Sequence, residues 1–114
     1  MKQLNKAKGT LGEREAVKFL KKHKYKILDT NYTCPIGEID VVALESGFLV
    51  IIEVKTRESA FFGRPCEAVD EVKQRKLCNL ALVYQKAMGL ADMPLRFDVV
   101  EVLENEINLI KNAF

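Results

Sequence analysis

Two apolar runs, Ile39–Leu44 and Phe48–Val54, constrain this chain most, because only Glu45-Ser46-Gly47 separates them. Short runs rich in Val and Ile, bounded by turn residues, read as strands, and Ser-Gly suits a two-residue hairpin turn. Counting back from that turn sets the pairing. Glu45 faces Phe48, Leu44 faces Leu49, Val42 faces Ile51, Asp40 faces Glu53 and Glu38 faces Lys55. Opposed residues share a face with Cβ atoms ~5 Å apart, and a face recurs at every second residue. Glu38, Asp40, Glu53 and Lys55 then emerge together at one end of one face. A slip of one residue would send the opposed acids to different faces.

Acids inside so apolar a strand pair cost stability unless they are paired or bind a cation. Hard oxygen ligands are what Mg2+ or Mn2+ take. Asp40 and Glu53 are the expected ligands of Mg2+, with Mn2+ able to substitute and the carbonyl of Val54 as a further oxygen. A cation there would activate water and neutralise a phosphate, which suits phosphodiester hydrolysis. Lys55 shares the strand face with Glu53, where its ammonium could orient the attacking water or stabilise developing charge. Glu38 has three readings: a further ligand, a salt-bridge partner for Lys55, or the residue that starts the strand.

At 114 residues the chain is expected to be one domain, with a core but no room for two. Apolar residues make up 48% and charged ones 30%, an ordinary globular balance. A net charge of +2 does not by itself imply nucleic acid, but lysines crowd the first quarter of the chain. That crowding is either a solvated helix face or a basic surface. Cys34, Cys66 and Cys78 are odd in number and lack CxxC spacing, and His23 is the single histidine. Zinc and a disulfide framework are therefore not expected, and free thiols fit a cytoplasmic protein. No apolar run approaches transmembrane length, and no glycine-rich phosphate loop or serine or cysteine hydrolase set is present. Neither a membrane nor an organic cofactor is expected.

Along the chain, Met1–Gly9 is expected to be a loose basic lead-in. Thr10-x-x-Glu13 matches a capping box and predicts a helix to about His23. Ala16, Val17 and Leu20 share its apolar side with Glu13. Glu13 is either the cap or a carboxylate directed inward that completes the metal shell. Tyr25–Tyr32 alternates as a first strand, placed at the sheet edge by its lysines. The hairpin follows, and its second strand, apolar on both faces, is expected at the sheet centre. Arg57–Pro65 is a loop in which Phe61 and Phe62, beside Arg57 and Arg64, either grip a nucleic-acid strand or tuck into the core.

A long helix is predicted over Cys66–Met88 with an inner stripe of Val69, Val72, Leu80, Val83 and Tyr84, flanked by Leu77 and widened by Ala81 and Met88. Gly89 ends it. Lys73 and Lys76 fall within the stripe, where a lysine either snorkels to an edge or points at an anion such as phosphate. Leu95–Leu103 and Ile107–Ile110 are further strands, and Asp98 reads as a strand-face or edge charge without a role. The order α-β-β-β-α-β(-β) describes an α/β fold with helices against a mixed sheet.

Asp40 followed by Glu53-x-Lys55 resembles the PD-(D/E)XK signature of restriction-endonuclease-like nucleases. Gly12-Glu13, Asn31-Tyr32, Gly37-Glu38-Ile39-Asp40, Glu53-Val54-Lys55-Thr56-Arg57, Val69 with Lys73, and Arg96-Phe97-Asp98-Val99 extend the likeness. Together they resemble the YraN-like family of small bacterial proteins, from about Gly9 to Val102. Ile39 stands where the signature has Pro. The family is similar in fold to archaeal Holliday-junction resolvases. The resemblance implies a three-layer core, a catalytic set of Glu13, Asp40, Glu53 and Lys55, a homodimer, and DNA, branched or otherwise structured, as partner. Lys73, Lys76, Arg57 and Arg64 are the expected nucleic-acid contacts. Two other classes stay open: a nucleic-acid-binding or assembly protein that keeps the nuclease fold without turnover, and a plain structural domain.

Overall fold

The hairpin forms as counted in its tight half. Ser46 and Gly47 both adopt left-handed φ, 53° and 83°, the geometry whose twist matches flanking strands. The computed structural model describes the backbone of residues 2–56, 70–104 and 106–114, and side chains from residue 11 onward within those ranges. The order is α1 (Lys2–Lys22), β1 (Lys26–Cys34), β2 (Gly37–Glu45), β3 (Phe48–Thr56), α2 (Glu71–Met88), β4 (Leu95–Val102) and β5 (Ile107–Ile110). The strands make one sheet in sequence order, β1-β2-β3-β4-β5. Only β3 and β4 run parallel, with α2 in the connection between them. β3 is central and β1 is an edge, as their compositions predict.

The helices lie on opposite faces, which gives three layers. On the α1 side Ala16 and Leu20 pack with Tyr25, Val41, Ala43, Val50, Ile52 and Val100, and Val54 borders them. On the α2 side Leu77, Leu80, Ala81 and Tyr84 pack with Ile39, Val42, Leu49, Ile51 and Val99. α1 comes unusually close to the sheet at Gly12. A Cβ there would collide with the Thr56 hydroxyl, so a larger residue would force Thr56 or the helix to shift.

Four expectations are corrected. α1 runs back to Lys2, so Thr10-x-x-Glu13 lies inside the helix and is not its start. α2 starts at Glu71, not Cys66, because extended Asp70 (ψ 175°) caps it and accepts the Lys73 N–H at 2.8 Å. Its buried stripe is the i, i+3, i+4, i+7 set Leu77, Leu80, Ala81 and Tyr84, while Val72, Val83 and Met88 are exposed. Asp98 is not an edge charge without a role: β4 lies inside the sheet, and on its face the residue is fully buried with several hydrogen-bond partners. Arg57, Phe61, Phe62, Arg64, Pro65, Cys66 and Val69 lie outside the described residues.

The two helices end alike. Gly89 is left-handed (φ 69°) after α2, as expected for a C-cap. Lys24 takes the same conformation (φ 70°) after α1, with the Tyr25 N–H bonded to Leu20 O at 3.0 Å.

Candidate active site at the carboxyl end of the third strand

The site starts from a break in β2. In an unbroken strand Ile39 and Val42, three apart, point to opposite faces. Here both belong to the α2-side cluster, while Val41 and Ala43 belong to the α1 side. The pleat therefore slips between Ile39 and Val41. Across β1, Asn31 has a left-handed φ of 54° between the pairs Thr30↔Val41 and Tyr32↔Ile39.

At this slip β2 parts from β3. The pairs Glu45↔Phe48 to Val41↔Ile52 match the count, and there the ladder stops. Asp40 and Glu53 are thus not a cross-strand pair, nor are Glu38 and Lys55. Asp40 instead accepts the Val54 N–H on Oδ2 at 2.9 Å, doing the work of a backbone carbonyl. The two acids still come together, since the charge of Glu53 acts strongly on Asp40. Burial first, then Glu53, then Glu13 and Glu38 push the Asp40 carboxyl up to about 7, against the single Val54 hydrogen bond. The other three predicted acids therefore all act on Asp40.

Glu53 is buried on the α2 face, in alternation with Ile51 and Lys55. Its Oε2 lies 3.3 Å from Lys55 Nζ and 2.5 Å from Lys73 Nζ. Burial and the neighbouring Lys73 lower the Lys55 pKa. Burial also opposes the Lys73 charge, but Glu53 outweighs it and raises that pKa. Lys73 is thus an ion-pair partner of the acid, where the stripe alone left snorkelling or phosphate contact open. Glu38 is exposed, and with Lys73, Lys76, Leu77 and Leu80 it lines a small cleft of about 90 Å³. Glu13 is half-buried on α1 and borders a hollow of about 400 Å³ with Arg14, Val17, Lys18, Thr30 and Asn31.

Among the described residues no three His, Cys, Asp or Glu side chains form a metal cage by themselves. Mg2+ does not require one. It keeps several waters and binds through one or two carboxylates, so Asp40, Glu53 and the Val54 carbonyl suit it as a donor set. The crowding of negative charge at Asp40 is what a divalent cation would relieve.

Reasoning from the sequence missed Glu101. It is 2% exposed and pairs in register with Lys55 across the parallel β3–β4 ladder. The signal was available: Glu101 lies two residues after buried Val99 and so shares its face. The site therefore sits at the carboxyl ends of adjacent parallel strands, where α/β sheets commonly bind ligands.

A model of the uncharacterised protein family UPF0102 matches residues 12–102. The chain belongs to that family. It is 46% identical over 112 residues to a UPF0102 protein of Caldicellulosiruptor saccharolyticus, covering 93% of this chain and 95% of that protein. It is 44% identical over 122 aligned positions to one from Caldanaerobacter subterraneus, covering both chains in full. A third, from Lachnoclostridium phytofermentans, is 47% identical over 110 residues, 96% of this chain and 93% of the other. The UPF0102 match opens at Gly12, where α1 meets Thr56, and spans Glu13, Asp40, Glu53, Lys55, Lys73 and Glu101. No helix among the described residues is long and apolar enough to cross a membrane.

Proposed function

We propose that this UPF0102 protein is a metal-dependent endonuclease that hydrolyses phosphodiester bonds in DNA, with branched or structured DNA as substrate. One observation carries the reading: half-buried Asp40 and buried Glu53 come together beside Lys55 at the end of β3, where β2 opens away. Mg2+ or Mn2+ bound there would activate water and neutralise the scissile phosphate. Asp40 and Glu53 would hold the cation, with the Val54 carbonyl, and Glu13 would complete its shell, directly or through water. Lys55 would orient the attacking water or offset charge that develops on the phosphate. Lys73 and Lys76 beside the cleft on one side, and Arg14 and Lys18 along the hollow on the other, supply cations for the flanking backbone. Arg57 and Arg64, in the segment after β3, would extend that contact. A homodimer would offer enough surface to hold a branched substrate.

The test is cleavage of linear, flapped and four-way DNA with Mg2+ by wild type, Asp40→Ala and Lys55→Ala. Cleavage by wild type that both variants lose supports the reading, and equal cleavage by all three marks a contaminant. A second reading has its own support, since Glu53 is already held by two lysines and no three-carboxylate cage exists among the described residues. It is a nucleic-acid-binding or assembly protein on this fold without turnover. DNA binding with no cleavage of any substrate would select it.

A further inference from the structure

Glu53 carries two ammonium groups on one oxygen, and they come from different elements. Lys55 reaches it along β3 at 3.3 Å. Lys73 reaches it from the first turn of α2 at 2.5 Å, with its backbone N–H held by Asp70. The side chain of Glu53 is only 8% exposed, whereas that of Lys73 is 41% exposed. Lys73 therefore stands between the buried acid and solvent. A further cation on Glu53 would meet two like charges already there. Lys73 also lines the cleft that holds Lys76, so its ammonium has a second place to go. A phosphate in that cleft would meet both lysines.

We propose that Lys73 is a built-in counter-ion, which a divalent cation displaces from Glu53 and a nucleic-acid phosphate draws into the cleft. Metal and nucleic acid then strengthen each other's binding, because both favour the same released position of Lys73, and the coupling is reciprocal. The inference rests on the nuclease reading of this site and goes beyond it. Lys73 keeps Glu53 compensated until substrate and cation arrive together, so it acts as a positioning residue.

The test is calorimetric titration of Mn2+ into the full chain, with and without a nonhydrolysable phosphorothioate four-way DNA. Wild type, Lys73→Met, Lys73→Gln and Asp40→Asn are compared, with thermal melts to confirm folding. Wild type should bind Mn2+ about fivefold or more tighter when DNA is present, the low end of ordinary coupling. Lys73→Met and Lys73→Gln should bind Mn2+ tighter than wild type without DNA and gain little from adding it. If both variants bind Mn2+ no tighter than wild type, while Asp40→Asn weakens binding, the counter-ion role is overturned and the metal site stands. If DNA still tightens Mn2+ binding in the Lys73 variants as in wild type, the coupling through Lys73 is overturned. If Mn2+ binds none of the proteins, with or without DNA, or Asp40→Asn changes nothing, the metal site falls and this inference with it.

Discussion

The sheet carries two charge clusters at opposite ends, each with a buried carboxylate, and they are built on opposite terms. At the start of β3 and β4, Asp98 is fully buried yet saturated. Its two oxygens accept from Arg96 at 3.0 and 2.8 Å, and they also accept from the Tyr25 hydroxyl at 2.7 Å and from the Asn112 N–H at 2.9 Å. Arg96 also pairs with Glu45 at 2.7 Å, and Lys111 reaches the same carboxylate at 3.2 Å. At the other end, Asp40 has the Val54 N–H against three neighbouring acids. Burial opposes ionisation of Glu45, but hydrogen bonds from Arg96, Ser46 and Lys111 outweigh it and pull that carboxyl down to about 2. Asp40 is pushed up to about 7. Buried charge that supports a fold is matched donor for acceptor. Charge left crowded is what a bound cation would complete.

Breaking the saturated cluster should cost most. Asp98→Ala leaves the Arg96 guanidinium short of its main partner in the interior, and should lower stability by about 3–5 kcal/mol in chemical denaturation. A loss below about 1 kcal/mol would mean the cluster is not what locks that end of the sheet. Gly12→Ala comes next. Its methyl meets the Thr56 hydroxyl, so Thr56 must turn away or α1 must lift at the end that carries Glu13, for about 1–3 kcal/mol. Its chemical shift changes should concentrate at Glu13, Asp40 and Thr56 and leave Arg96 and Asp98 still.

The clusters should also differ in the sign of their pH dependence. Glu45, lowered from 4.5 to about 2, contributes stability above its unfolded value that is lost as pH falls toward 2. Asp40, raised from 3.8 to about 7, takes up protons on folding between those values, so its contribution declines as pH rises from about 4 to 7. Asp40→Asn should flatten that decline in melts across pH 4–8 and leave the acid limb unchanged. A wild-type slope preserved in the variant would refute the crowding at Asp40. Lys24→Gly should have the smallest effect. It relieves a left-handed non-glycine residue beside Tyr25 and should raise stability by about 0.5–1 kcal/mol without altering metal or DNA binding.

Much of the fold was legible in local pattern. The hairpin, the central place of β3, the C-cap at Gly89 and the strand Ile107–Ile110 followed from alternation and turn chemistry, which act within a few residues. Part of the site was legible too: strand parity puts Glu53 and Lys55 on one face, whereas Asp40 lies beyond the slip in β2, where parity no longer holds, and still comes near Glu53. The means of that approach was not legible. The count made Asp40 and Glu53 a ladder pair, whereas a slip at Ile39 and Asn31 turns Asp40 onto the backbone of β3. Such a slip depends on packing between layers, to which local alternation is blind. The same limit explains Asp98, whose partners Tyr25 and Asn112 lie far away in the chain.

The sequence alone therefore determined most of the elements and the face parity of the unbroken strands, since these depend on periods of 2 and 3.6 residues. Tertiary structure decided which charges are matched and which stay crowded. It set Lys73 on Glu53, put Glu101 beside Lys55 and saturated Asp98. Those outcomes depend on distances between elements remote in the chain, and on burial that only the closed three-layer fold creates.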